Sequence, residues 1–376
     1  MKIALIGRDA NRVLAFRGSL IRAAHVRGHT VIAITGPTTP ETQQILANAG
    51  VQWIGSPLNA GSVNPIQDFA FSKSLQRILR EQRVDSVLAY NPKCLAYGPI
   101  AARKAGVQHV VGMVTGLGHG FIGGGWREDI VRLAKAWLYR RAFTACDAVL
   151  VQNSDDLSVL QTCGAVTPEL WPRVHVISGS GVDVANFSQR PLPPGAHFLM
   201  VARPLREKGL REFFEASRLA SQQIADATFS WLGPLSDANP SAIPESTIRS
   251  WLAESVVRHI VEQPDIRPYL AACSVLVLPS HREGTSKVVL EAMATGRAIV
   301  TTDAPGCRET VRNSENGMLV PVGDVQGLAD AMVRLGRDQE LRTSMGLQSR
   351  RIACERFDAT RTDVLILDLL EGREGH

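Results

Sequence analysis

The segment 275–296 reads VLVLPSHREGTSKVVLEAMATG, a pattern that predicts a strand, a polar loop and a helix in that order. The run Val275 to Leu278 is apolar throughout, as expected of a buried parallel strand. The helix is predicted to begin near Ser286, so the backbone N–H groups of Thr285 to Val288 point out of its N-terminus. A helix N-terminus in this position favours the binding of an anion.

Strands of this kind recur along the chain with helical segments between them, which predicts parallel sheets covered by helices. The first series comprises Ile3 to Ile6, Val31 to Ile34, Val51 to Ile54, Ser86 to Tyr90, His109 to Val114 and Ala148 to Val151. The second comprises Phe198 to Val201, Thr228 to Leu232, Arg258 to Val261, Val275 to Leu278, Ala298 to Thr302 and Met318 to Val320. The predicted fold class is α/β, with two Rossmann-like, doubly wound domains that face a central cleft.

A chain of 376 residues exceeds the size at which one hydrophobic core usually stops growing. The strand pattern restarts after the proline-rich loop Gln189 to Gly195, and the stretch Gly179 to Asp183 is the predicted hinge. We predict domains over 1–180 and 181–356, followed by an amphipathic helical segment over 357–376. That helix returns to the first domain or packs on its own domain, and the pattern alone fits both.

Composition and charge narrow the class of protein. A hydrophobic share of 45% with 20% charged residues is typical of a folded α/β protein. The net charge of +5 favours an anionic partner without choosing between phosphate, lipid headgroup and nucleic acid. The six cysteines are scattered, so neither disulfides nor a metal site is expected. A short N-terminal apolar run and the lack of a membrane-length stretch predict a cytoplasmic protein.

Two carboxylates bracket the predicted anion site. Glu283 precedes the helix, and Glu291 lies about one and a half turns into it. A carboxylate accepts hydrogen bonds from two vicinal sugar hydroxyls, so this pair around a phosphate suits a nucleotide sugar. Alternatively, Glu283 complements the helix dipole and Glu291 faces solvent. Solvation fits Glu291 less well, because it stands inside the apolar run Val288 to Ala294.

Two cations follow the first strand of the second series. Arg203 and Lys208 lie after Phe198 to Val201, at the end of the strand where doubly wound proteins bind ligands. Together they can neutralise a diphosphate and stabilise its departure without a metal. The alternative is a solvated basic loop, which suits Arg206 with Glu207 better.

The first series also contains a glycine-rich loop, 115–125, after His109 to Val114. Gly116 and Gly118 allow a close backbone approach to a ligand, and His119 can bind a sugar hydroxyl or accept its proton. The alternative is that His119 is an ordinary loop residue. The first strand is not followed by G-x-G-x-x-G, which argues against a dinucleotide cofactor, and no cofactor is predicted.

The segment 126–141 combines basic residues with tryptophan and tyrosine. Its basic members are Arg127, Arg132, Lys135, Arg140 and Arg141. This composition fits a helix lying on anionic lipid at the inner face of a cytoplasmic membrane, and equally an ordinary helix packed on its sheet. Nucleic acid is not predicted as a partner, because no recognised binding module accompanies the cluster.

At this point the residues resemble the retaining glycosyltransferases of family 4, which have the GT-B fold. The most specific shared features are the E-x7-E pattern of Glu283 and Glu291, the pair Arg203 and Lys208, and the segment 301–309. The N-terminal half resembles the bacterial subgroup that extends undecaprenyl-diphosphate-linked sugars. That likeness is carried by Pro57-Leu58, Gly61, Asn64-Pro65, Asn91-Pro92-Lys93, Thr115-Gly116-Leu117-Gly118 and Gly179 to Asp183.

The resemblance assigns roles to residues. It implies that Arg203 and Lys208 hold the donor diphosphate, Glu283 contacts the donor sugar and Glu291 binds the ribose. Backbone N–H groups at Ser286 and Lys287 would bind the distal phosphate. The predicted catalytic residues are His119, Arg203, Lys208 and Glu283. The predicted donor-binding residues are Arg203, Lys208, Ile260, Glu283, Gly284, Thr285, Ser286, Lys287 and Glu291.

The predicted function is retaining, metal-independent transfer of a hexosyl or N-acetylhexosaminyl group from a nucleotide-diphosphate sugar. The expected donor is a UDP-sugar bound by domain 181–356, and the expected acceptor is a lipid-linked saccharide bound by domain 1–180. The setting would be bacterial surface polysaccharide assembly, such as O-antigen or capsule. Two alternatives stay open: a UDP-sugar epimerase of the same plan, and a non-catalytic nucleotide-sugar binding protein.

Overall fold

The computed structural model describes residues 1–59, 64–117, 126–237 and 239–373, with the backbone alone at 126–129. The chain divides into two compact units. The first comprises Met1–Ser180 and Ala359–His376, and the second comprises Gly181–Asp358.

The first unit is built on a parallel sheet of seven strands. The strands are β1 Lys2–Ile6, β2 Thr30–Thr35, β3 Val51–Gly55, β4 Ser86–Tyr90, β5 His109–Val114, β6 Ala148–Val151 and β7 Val174–Val176. Their order across the sheet is β3-β2-β1-β4-β5-β6-β7. The order reverses between β1 and β4, which gives this unit the arrangement of a doubly wound sheet.

The second unit repeats the plan with six parallel strands. They are β8 His197–Val201, β9 Thr228–Leu232, β10 Val257–Ile260, β11 Val275–Leu278, β12 Ala298–Thr302 and β13 Gly317–Val320. The order is β10-β9-β8-β11-β12-β13, so β8 lies between β9 and β11. Because all six strands run in the same direction, the loops that follow β8, β9 and β11 meet at one edge of this sheet.

Helices connect the strands and close both units. In the first they are α1 Val13–Val26, α2 Pro40–Asn48, α3 Pro65–Glu81, α4 Pro92–Ala105, α5 Trp126–Thr144 and α6 Ser154–Thr162. In the second they are α7 Leu210–Ser221, α8 Glu245–Glu254, α9 Arg267–Ala272, α10 Lys287–Thr295, α11 Val325–Arg337 and α12 Gln339–Arg356. Across the described ranges, no helix is both long and apolar enough to cross a bilayer.

The last helix, α13 Ala359–Leu370, belongs to the first unit. Its residues Ile366, Leu367 and Leu370 are buried in the same apolar cluster as the strand residues Ile3 and Leu5. Polar contacts hold its C-terminal end to the loop between α1 and β2. There Arg27 Nη1 lies 2.6 Å from Asp368 Oδ1, and His29 Nε2 lies 2.6 Å from Glu371 Oε1.

The predicted and observed strands agree within one residue at each end. The strand that the sequence missed is β7, whose three residues are half-buried or exposed and follow a short 3-10 helix over Pro168–Arg173. Such a short run lacks the continuous apolar character by which the other strands are predicted. The prediction of an α/β chain with two doubly wound sheets is confirmed.

Candidate active site

Segment 275–296 forms β11, a polar loop and α10. Ser286 is the N-cap residue of α10, with an extended backbone and no side-chain capping hydrogen bond. The first helical hydrogen bond runs from the N–H of Leu290 to the carbonyl of Ser286. The preceding turn therefore presents its N–H groups along the helix axis, and the helix dipole adds partial positive charge there. This geometry suits a phosphate.

Lys208 and Glu283 form an ion pair at this edge of the sheet. Lys208 ends a short 3-10 helix over Arg206–Lys208, after β8. Its Nζ lies 2.6 Å from Glu283 Oε1 and 2.7 Å from Oε2, and both side chains are mostly buried. The two residues are far apart in sequence but follow neighbouring strands, β8 and β11, which brings them together.

Close packing behind this pair depends on Gly209. Its φ of +72° is a left-handed conformation, and an added Cβ would lie 2.1 Å from the carbonyl oxygen of Pro279. The backbone of the Glu283 loop is fixed to the same segment, because the His281 N–H donates to the Glu207 carbonyl at 2.8 Å. The loop after β8 therefore bears Lys208, and its backbone also holds the loop that bears Glu283 in place.

Arg203 also lies at this edge, two residues after β8. Its Nη1 lies 3.1 Å from Oδ2 of Asp237, which follows β9. Asp237 was not among the residues predicted from the sequence. The available signal was its position after a strand that neighbours β8, since such residues meet at one edge of a parallel sheet.

Glu291 is buried, with 7% of the residue exposed. Burial raises the pKa of this carboxyl to about 7, and Lys287, with its Nζ 3.7 Å from Oε1, acts in the opposite direction. The alternative that Glu291 faces solvent is therefore wrong. Its role as a ligand for ribose stays a prediction.

A second titratable pair, which was not predicted from the sequence either, lies beside Glu283. His281 Nε2 lies 2.9 Å from Oε1 of Glu212, a residue in the first turn of α7. That hydrogen bond raises the pKa of His281. The contact ties the loop before α10 to α7, and no sequence spacing links these two residues.

The backbone of Gly306 packs directly against the backbone of Glu283. Its φ is +77°, and an added Cβ would lie 2.2 Å from the carbonyl oxygen of Glu283. The Glu283 N–H in turn donates to the Pro305 carbonyl at 2.9 Å. Pro305 and Gly306 belong to the stretch 301–309, one of the features shared with family 4. Their backbone contacts fix the position of the loop that bears Glu283.

We expect Gly306→Ala to lower kcat/KM for the donor by about tenfold or more, because the new methyl group displaces the Glu283 loop. Gly323→Ala is the matched control, since Gly323 has a φ of +78° with nothing within 4 Å of an added Cβ. Both variants carry the strain of a left-handed alanine, about 1 to 2 kcal/mol. Equal activity in the two variants would show that the packing of Gly306 against the Glu283 backbone does not affect donor use.

The remaining donor candidates occupy the same sheet edge with less distinctive contacts. Gly284 and Thr285 lie in the loop before α10, and Lys287 opens that helix. Ile260 ends β10 and accepts the N–H of Gly233 at 3.0 Å, while its side chain packs on the core of the second unit. Donor binding by these residues stays a prediction.

The acceptor candidates belong to the first unit. Gly116 follows β5 with a φ of +107°. Gly118 and His119 lie outside the described residues, so their roles stay predictions as well. Within the described residues, no group of three His, Cys, Asp or Glu side chains is arranged to hold a metal ion.

Two family models match the chain. The model described as glycosyl transferases group 1 matches residues 195–338, and the model described as glycosyl transferase 4-like domain matches residues 15–165. The first match contains Arg203, Lys208, Glu283 and Glu291. The second spans most of the first sheet.

Two curated relatives align over most of the chain. The Campylobacter jejuni N,N'-diacetylbacillosaminyl-diphospho-undecaprenol alpha-1,3-N-acetylgalactosaminyltransferase is 26% identical, covering 92% of this chain and 92% of the relative. The Escherichia coli UDP-Gal:alpha-D-GlcNAc-diphosphoundecaprenol alpha-1,3-galactosyltransferase is also 26% identical, covering 76% and 75%.

Solved structures share the fold at lower identity. HepE of Anabaena in complex with UDP-glucose superposes with a TM-score of 0.78 at 18% identity, covering 99% of this chain and 100% of that chain. Sucrose-phosphate synthase from Thermosynechococcus elongatus gives a TM-score of 0.80 at 17% identity, covering 99% and 98%. These likenesses confirm the predicted fold class.

Proposed function

This chain belongs to glycosyltransferase family 4, and from that premise we propose that it transfers a sugar from a UDP-sugar to a lipid-linked saccharide. One observation carries the donor half of the proposal. Arg203 and Lys208 follow β8, and Glu283 and the N-terminus of α10 follow the neighbouring strand β11, so all of them lie at one edge of the second sheet. Cations and helix N–H groups suit a diphosphate, and a carboxylate beside them suits the attached sugar.

In the proposed reaction, the bond from the anomeric carbon to the diphosphate oxygen breaks and a bond to the acceptor oxygen forms. The acceptor proton passes to the departing diphosphate, and retention follows if both events occur on one face of the sugar. Negative charge grows on the diphosphate as it leaves, so Lys208 and Arg203 stabilise the transition state more than the ground state. They would supply this charge without a metal.

The acceptor half of the proposal is supported by the relatives. Both are named for saccharides linked to undecaprenyl diphosphate, and the Campylobacter jejuni enzyme aligns over 92% of this chain. A lipid-linked acceptor of this kind presents its sugar at the surface of a membrane. The chain would then act at the inner face of the cytoplasmic membrane, in the assembly of a surface polysaccharide or glycan.

Helix α5 supports a membrane contact, because it has two apolar faces. The first, with Ala136, Tyr139 and Phe143, is buried against the core of the first unit. The second, with Ile130, Leu133 and Trp137 at 59%, 61% and 58% exposure, faces solvent. One face of this helix is therefore packed on the core of its unit, and the exposed apolar face is what supports the membrane interpretation of segment 126–141.

Basic side chains flank the exposed face of α5. Arg141 stacks over the Trp137 ring at 4.8 Å, and Lys135 and Arg140 are also exposed. Tryptophan with exposed leucine and isoleucine can enter the headgroup region, while the cations contact anionic lipid. We include this face in the proposal as the surface that contacts the membrane.

We expect Trp137→Ser to lower binding to vesicles of anionic phospholipid by about fivefold or more, since a buried indole contributes over 1 kcal/mol. Sedimentation with vesicles of phosphatidylglycerol and phosphatidylcholine measures the effect. Trp171→Ser is the control, because Trp171 is a similarly exposed tryptophan of the same unit at 52%. Equal losses in the two variants would contradict a specific role for α5.

The proposed reaction is tested with a panel of UDP- and GDP-sugars and an undecaprenyl-diphosphate-linked saccharide. Nucleotide release is measured with and without EDTA, and NMR gives the anomeric configuration of the product. We expect release from a UDP-sugar only with acceptor, retention of configuration, and full activity in EDTA. Isomerised donor without acceptor would instead indicate an epimerase. UDP binding with no donor consumption would indicate a binding protein.

A further inference from the structure

We propose that Asp237 is a counter-anion that competes with the donor diphosphate for Arg203. Asp237 is then a positioning residue, which holds the guanidinium until the donor binds and releases it to the donor diphosphate. The inference rests on the function proposed above and adds a step to it.

The contact between Arg203 and Asp237 is weak enough for a phosphate to replace the Asp237 carboxylate. It consists of one hydrogen bond, from Nη1 to Oδ2 at 3.1 Å. The Arg203 side chain is 32% exposed, whereas that of Asp237 is 14% exposed. A guanidinium has five N–H donors, so most of its hydrogen-bonding capacity is not used in this contact. The oxygens of a diphosphate match two of those donors at once, and the diphosphate as a whole carries at least two negative charges where a carboxylate carries one.

The Asp237 carboxylate is held in place by contacts that do not involve the Arg203 side chain. Its second oxygen, Oδ1, accepts the N–H of Asn239 at 2.8 Å, and Asn239 Oδ1 accepts the N–H of Ser241 at 3.0 Å. The Ser241 carbonyl then accepts the N–H of Arg206 at 3.1 Å. The carboxylate is thereby anchored to the segment that carries Arg203. It stays in place while the longer guanidinium side chain moves.

The contact between Lys208 and Glu283 differs from that between Arg203 and Asp237. Its Nζ contacts both oxygens of Glu283, and the two side chains are 19% and 13% exposed. Glu283 is also the residue proposed to contact the donor sugar, so it remains in the site after the donor binds. Exchange of a carboxylate for a phosphate is therefore assigned to Arg203 alone.

This arrangement has a consequence for nucleotide affinity. Binding of the diphosphate costs the Arg203–Asp237 contact, and release of the nucleotide restores it. Removing the negative charge of Asp237 removes that cost and also lowers the repulsion between the site and the phosphates. UDP should then bind more tightly, whereas loss of a residue that merely shapes the site would weaken binding.

The test is Asp237→Asn, with UDP binding measured by isothermal titration calorimetry. Asparagine keeps Oδ1 as an acceptor for Asn239 and removes only the charge. We expect the dissociation constant of UDP to fall about two- to fivefold, the value of a partly exposed ion pair. Asp226→Asn is the matched control, since Asp226 is exposed and lies before β9, at the opposite end of the strand.

Unchanged or weaker UDP binding by Asp237→Asn would overturn the inference, as would an equal gain in Asp226→Asn. Thermal unfolding of each variant is measured alongside. If Asp237→Asn is unfolded, Asp237→Ser is used in its place, because its hydroxyl also accepts the Asn239 N–H. Failure of the unsubstituted protein to bind UDP would contradict the proposed function and is distinguishable from these outcomes.

Discussion

Lys208→Ala is expected to lower the rate of sugar transfer by about a hundredfold or more, the usual effect of removing one preorganised charge from a developing anion. Lys208 contacts Glu283, which follows β11, whereas Arg203 contacts Asp237, which follows β9, so the two cations hold different positions and one does not take the place of the other. The substitution also leaves Glu283, 13% exposed, without its cation. Steady-state kinetics with saturating acceptor would show the loss chiefly in kcat.

Arg206→Ala is the control for this prediction. Arg206 is exposed and lies in the same 3-10 helix, so its removal changes the net charge equally. We expect nearly unchanged kinetics in Arg206→Ala, with a similar unfolding midpoint in both variants. If Lys208→Ala keeps near-normal activity, or Arg206→Ala loses as much, the donor site has been placed wrongly.

Glu291→Gln is expected to make the folded protein more stable at pH 8 while weakening UDP binding. Burial raises the pKa of Glu291 from 4.5 to about 7. The folded state therefore holds a proton on this group between those pH values where the unfolded state does not, and stability falls as pH rises through the folded pKa. The penalty is present in full above pH 7 and absent below the unfolded pKa.

The expected gain for Glu291→Gln follows from that shift. It corresponds to about 3 kcal/mol at pH 8, a value that already includes the opposing effect of Lys287, and is small at pH 5. UDP binding should weaken about tenfold, because a charged acceptor for the ribose hydroxyls is lost. Urea unfolding at both pH values and calorimetry with UDP measure the two effects.

Glu254→Gln is the control, as Glu254 is exposed at the end of α8. It should change neither stability nor UDP affinity. A gain in Glu291→Gln that is equal at pH 5 and pH 8 would contradict the effect of burial on this carboxyl. Unchanged UDP affinity would contradict its assignment to the nucleotide.

The strands and the site segment were accessible to sequence reasoning for local reasons. Consecutive apolar residues, as in Val275 to Leu278, predict a buried parallel strand. The polar loop and Ser286 then locate the helix N-terminus. Glu283 and Lys208 follow strands of the same sheet, so their position at one edge was predictable as well. Their direct pairing at 2.6 Å was not.

Other features depend on contacts that no local pattern encodes. The buried face of α5 and its exposed apolar face have the same kinds of residue, and only packing on the core tells them apart. The pair of His281 with Glu212 joins a loop to a helix far away in sequence. Gly306 looks like any loop glycine until its distance to Glu283 is known.

The sequence by itself determined that this protein has two parallel α/β units, and it located a helix N-terminus and two cations after strands of the second unit, for which phosphate binding stays a prediction. These features arise from periodicity and from short-range spacing. The tertiary structure alone decided that Arg203 meets Asp237 and that Glu291 is buried enough to raise its pKa. The reason is physical: strand order selects which distant loops become neighbours, and burial is a property of the packed core.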